Sequence, residues 1–164
     1  MISSRAAREG IVAGMLGASA VVVWFFVADQ LAGTPFRTPL LLASAVFAAF
    51  GAETGGATAL PIAIYTVIHY AAFIGVGVAT ASILNAAQRT PSVMAGVFLM
   101  FAVFETGFYT LCVLLSMLDM VGTLAWYQMG AANILASVVM GVYLWKRHPE
   151  VATELDAALA GKTT

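Results

Sequence analysis

IVAGMLGASAVVVWFFVA, from Ile11 to Ala28, contains no charged residue. Its 18 positions exceed the 7 to 15 apolar residues of a secretory signal core, so it reads as an uncleaved first helix. A spanning helix needs about 20 mainly apolar residues to cross a hydrocarbon core of about 30 Å. With its flanks the stretch gives a first span of about 10–32. Three more follow: about 60–86, about 92–118 with one acid, Glu105, and about 121–145 with no charge. Pro61 and Pro91 stand at or just before helix starts, where a missing N–H costs little.

Composition agrees. Hydrophobic residues make up 62% of the 164 residues and charged residues 9%, with a mean hydropathy of +0.96. Soluble domains carry about 25% charged residues, so this surface needs lipid as its solvent. The net charge of -1 excludes a nucleic-acid binder, which carries a basic excess. The chain holds one cysteine, Cys112, so an intrachain disulfide is excluded.

Residues 38–52 are apolar but short. Thr38 can cap and Pro39 suits a first turn. The resulting helix is about 20 Å long, too short to span, and reads as interfacial or re-entrant. The preceding TPFRTP, Thr34 to Pro39, is distinctive but reveals no chemistry.

Charge sets the orientation. In a four-span arrangement one side holds Arg5, Arg8, Arg89, Lys146, Arg147 and Lys162, and the other only Arg37. The positive-inside rule then puts both termini in the cytoplasm, as for a multi-pass protein of a bacterial-type inner membrane. The expected fold is all-α: an integral membrane four-helix bundle, N-in and C-in, with a short interfacial or re-entrant helix after the first span. Residues 1–148 form the membrane domain. Residues 149–164 form a cytoplasmic amphipathic tail, with Val151, Leu155 and Leu159 at spacing four.

Small residues mark packing faces. Gly10, Gly14 and Gly17 form one ridge, and Gly130, Asn133, Ser137 and Gly141 share a face of the last span.

One constellation carries chemistry. Ionisable residues inside a bilayer are costly and face the bundle interior. By helix rise, His69 lies roughly 14 Å below the outer edge and Glu105 roughly 10 Å below it. Gln128 and Asn133 fall roughly 11 and 18 Å below Val121. Tyr65 and Tyr109 share faces with His69 and Glu105, and the six residues form an expected polar slab in the outer half. Asp29, at the outer end of the first span, either caps this slab or meets water.

Several readings fit the slab. It serves as a satisfied polar core, as a proton or substrate pathway, or with His69 as axial ligand of a haem or chlorophyll-type pigment. No metal site is expected, since His69 and Glu105 are only two ligands and no HExxH is present. The absence of GxSxG and P-loop motifs gives no reason to expect an enzyme. Two functions follow: a non-catalytic accessory subunit of a larger membrane complex of respiratory or photosynthetic type, or a small homo-oligomeric transporter or channel. The partners are the lipid bilayer and other membrane chains or further copies of this one.

Overall fold

The computed structural model describes residues 3–52, 59–87 and 126–150. Among these residues the chain is helical apart from short connections, with no strand. The helices are α1, Ser4–Leu31; α2, Arg37–Ala49; α3, Ala59–Ala87; and α4, Trp126–Arg147. Three of them, α1, α3 and α4, are long and apolar enough to cross a membrane. The expected span at about 92–118, with Glu105 and Tyr109, lies outside the described residues. So do residues 121–125 and the tail from 151 to 164.

α1 begins six residues before its expected start at Gly10. Ser3 caps it: its side-chain oxygen accepts from the Ala6 N–H at 3.1 Å. Arg5 then pairs with Glu9 one turn on, at 3.0 Å. Capping and an i, i+4 pair extend a helix beyond its apolar run, which hydropathy alone does not register. α1 ends at Leu31, and Gly33 follows with φ +69°, a left-handed conformation that glycine adopts without cost.

α2 is shorter than the expected 38–52. Gly51 stops it at φ +69°, with its N–H donating to the Ala48 carbonyl at 2.9 Å. At 13 residues it is about 20 Å long, short of a hydrocarbon core of about 30 Å.

α1 is the central element. It packs against α3 and α4, while α2 lies mainly on α3 and touches α1 lightly. Gly10 meets Val78, Gly14 meets Phe73 and Ile74, and Ser19 meets Tyr70. Residue numbers rise on one helix as they fall on the other, so α1 and α3 are antiparallel. α1 and α4 are antiparallel as well, with Arg5 near Arg147 and Gly17 near Met140. α3 and α4 are therefore parallel. A further span between them, as the sequence leads one to expect, would make the return journey.

The α1–α3 crossing is very close. A Cβ at Gly10, Gly14 or Gly77 would overlap the facing backbone. In lipid such contact replaces the hydrophobic drive that joins helices in water. Apolar contacts continue along α4. Ala6, Ala13, Ala81, Met140 and Leu144 form one cluster, and Val21, Phe25, Met129, Ala132 and Ala136 form another. The packed stripe of α4 is thus Met129, Ala132, Ala136, Met140 and Leu144, built from alanine with methionine as filler. It lies beside the glycine–serine stripe read from sequence. Gly130 is buried, Ser137 is half-buried, and a Cβ at Gly141 would meet nothing within 4 Å.

The outside is apolar. Val23, Phe26, Val67, Ile134 and Val138 are all exposed. α3 is strongly apolar with no one-sided polar face, and little of it is buried among the described residues. Such a surface suits lipid or another apolar chain.

Candidate functional site

A cavity of about 210 Å³ lies among α1, α2 and α3. Val22, Phe25, Phe26, Leu42 and Ile62 supply apolar walls. Asp29 and Thr38 line it towards the α1–α2 connection, and Tyr65, Thr66, His69 and Tyr70 line its α3 side.

The α1–α2 connection gives TPFRTP a structural meaning. Gly33 and Phe36 both adopt left-handed backbone conformations, with Phe36 at φ 63°. That double reversal folds α2 back so that Thr38 faces Asp29. The Thr38 N–H donates to one carboxyl oxygen of Asp29 at 2.7 Å, and its hydroxyl donates to the other at 2.8 Å. Both residues are buried. An acid at the open N-terminus of a helix also complements the helix dipole. Asp29 therefore fastens α2 over the cavity rather than meeting water.

On α3, His69 Nε2 lies 3.3 Å from the Ala18 carbonyl. One residue on, the Tyr70 and Ser19 hydroxyls share a hydrogen bond of 2.9 Å. These two ties join α1 to α3 beside the glycine crossing. The imidazole sits among rings: Phe73 at 4.8 Å, Tyr65 at 5.7 Å and Tyr70 at 5.9 Å between centroids. Thr66 returns its hydroxyl to the Ile62 carbonyl at 2.7 Å.

The structure brings His69 and Tyr65 together at the cavity. Gln128 and Asn133 are half-buried on α4, which packs on α1, and neither amide hydrogen-bonds to His69 or Tyr65. Glu105 and Tyr109 lie outside the described residues. Within those residues the expected slab is thus a two-residue group on α3, with two amides on a separate helix.

A second polar group lies at the opposite end of α1. Glu9, 5% exposed, accepts from Arg5 Nε at 3.0 Å and lies 3.0 Å from Nε2 of His148, itself 1% exposed. Arg5 also donates to the Arg147 carbonyl at 3.2 Å, and the Arg147 guanidinium lies 5.5 Å from the Tyr143 ring centroid. His148 Nδ1 faces Glu150 at 3.8 Å. The Arg5–Glu9 spacing is a sequence signal for part of this knot. Nothing in the sequence pairs Glu9 with a histidine 139 positions away.

No family model, curated protein or solved structure matches the chain.

Cofactor chemistry is bounded by this geometry. No group of three histidine, cysteine, aspartate or glutamate side chains is placed to hold a metal ion among the described residues. An engineered cavity of about 150 Å³ holds one benzene. At about 210 Å³ this one is of a size for a single substituted ring. Nε2 of His69 faces the Ala18 carbonyl, so a group bound by this ring would meet Nδ1.

Proposed function

We propose that this chain is a non-catalytic accessory subunit of a larger membrane complex, in a bacterial-type inner membrane with both termini cytoplasmic. The observation that carries the reading is α3. It is strongly apolar away from the cavity, and among the described residues α1 and α2 cover only part of it. Val67 is 70% exposed on it, and a Cβ at Gly75 would meet nothing within 4 Å. A long flank with a small residue at its middle suits close approach by more than one further transmembrane helix, the expected span at about 92–118 and one from a partner chain.

Orientation has its own support. Arg5, Arg8, Lys146 and Arg147 gather at one end of the described bundle, and Arg37 stands at the other. By the positive-inside rule the basic end is cytoplasmic. α2 then lies on the outer side as an interfacial helix.

Purification in a mild detergent from the native membrane tests the reading. Other membrane chains should co-migrate with this one through size exclusion. A homo-oligomer alone would favour the transporter or channel reading, which rests on the polar residues at the cavity.

A further inference from the structure

The cavity among α1, α2 and α3 has a hydrogen-bonding pattern that its own walls leave incomplete. His69 Nε2 faces a carbonyl, which only accepts, so Nε2 carries the proton. In the neutral ring Nδ1 then keeps a lone pair and is an acceptor. Among the described residues it has no donor. The Tyr65 hydroxyl, on the same helix face, also has no hydrogen-bond partner among them. Asp29, Thr38 and Thr66 are engaged elsewhere. The site therefore offers one acceptor and one hydroxyl within apolar, largely aromatic walls. Ligand sites commonly combine apolar lining with a few placed polar groups.

Size and position narrow the occupant. The volume suits one substituted six-membered ring. Val22 and Phe26, which line the cavity, are also 45% and 48% exposed on the apolar exterior of α1. A ring seated inside can therefore carry an alkyl chain out into lipid. We infer that the cavity binds the ring of a quinol-type membrane lipid: one ring hydroxyl donates to His69 Nδ1, and a ring oxygen accepts from the Tyr65 hydroxyl. This inference concerns binding alone and stands independently of the accessory-subunit reading.

Redox preference is its signature. A quinol has hydroxyl protons to give to Nδ1, and the corresponding quinone has none. The purified full chain in detergent is titrated calorimetrically with a decyl-substituted benzoquinol, its oxidised form, the chain-free benzoquinol and decanol. The decyl quinol should bind about tenfold tighter than the quinone, the worth of one hydrogen bond, and tighter than decanol. Tyr65→Phe should weaken both ring forms about tenfold at unchanged thermal stability. His69→Phe should abolish the preference for the reduced form. Equal affinity for quinol and quinone overturns the proposal, as does wild-type binding by Tyr65→Phe. Equal affinity for the chain-free ring overturns the lipid-borne source and assigns the site to a free phenol. If His69→Phe fails to fold, the redox preference of the wild type and the Tyr65→Phe result decide the matter.

Discussion

Asp29 and Thr38 close the turn between α1 and α2, with both carboxyl oxygens of Asp29 taken by one residue, at 2.7 and 2.8 Å. The turn they close contains two left-handed residues, Gly33 and Phe36. A non-glycine residue at positive φ is uncommon, so surrounding contacts must hold Phe36 there. Phe36 packs against Phe26 of α1, with centroids 6.1 Å apart. The fastening and the aromatic pair together keep α2 over the cavity.

Removing the fastening should be costly. Thr38→Val keeps shape and the N–H contact but loses one hydrogen bond, for about 1 kcal/mol. Asp29→Ala leaves both Thr38 donors without their acceptor in a buried place, for roughly 2 to 3 kcal/mol. Thermal unfolding in detergent should rank the stabilities wild type, Thr38→Val, Asp29→Ala. Equal losses would mean that the hydroxyl carries the whole interaction.

The glycines divide into two groups. A Cβ at Gly14 would overlap Phe73 and Ile74 backbone, and one at Gly77 would overlap Gly10. Gly14→Val and Gly77→Val should therefore force α1 and α3 apart, for about 1 to 3 kcal/mol or more, as overpacking does. Gly75→Ala and Gly141→Ala meet open space and should hold or raise the stability of the isolated chain, since alanine favours helix. A Gly75 variant that is stable alone but lost from the purified complex would locate the partner on α3.

Much of this fold is legible in the sequence. Charge-free apolar runs reveal the spanning helices, because a helix satisfies its own backbone in lipid. Gly10 and Gly14 reveal a close contact, because few other residues permit one. The parts that are not legible share a physical cause. Asp29 reads as a span-end acid until the chain reverses at Gly33 and Phe36 to bring Thr38 to it. His148 gives no sequence signal, and only antiparallel packing seats it on Glu9. The slab rests on depth and on the faces of single helices, and neither determines how one helix is rotated against the next. His69 turns towards α1 and the cavity, whereas Gln128 and Asn133 belong to a helix on another flank of α1.

Glu9 and His148 should be energetically coupled. Glu9 is nearly buried and has two side-chain partners, so Glu9→Gln loses strength with both Arg5 and His148. His148→Phe leaves Arg5 as a partner. A double-mutant cycle over these two changes should return a coupling of about 1 to 3 kcal/mol, the range for residues within one network. Arg5→Ala should cost less than His148→Phe, because the Arg5 side chain is 58% exposed and water can replace it. A coupling near zero would reduce the knot to independent contacts.

Membrane orientation is open to direct chemical mapping. The single native thiol, Cys112, is first replaced by serine, so that introduced cysteines report alone. Arg37→Cys and Thr58→Cys flank α2 and should both react with an impermeant thiol reagent applied from outside intact cells. Thr163→Cys should react only after the membrane is opened. Thr38 itself is a poor reporter, since it is buried and its hydroxyl is bonded to Asp29. The two outer sites test α2 in particular. A helix of about 20 Å does not by itself cross a core of about 30 Å. Labelling of Arg37→Cys and Thr58→Cys from opposite sides would make α2 a span despite its length. Labelling of Thr163→Cys from outside would overturn the proposed orientation. Same-side reaction of the first two, with protection of the third, is the pattern that an interfacial α2 and cytoplasmic termini require.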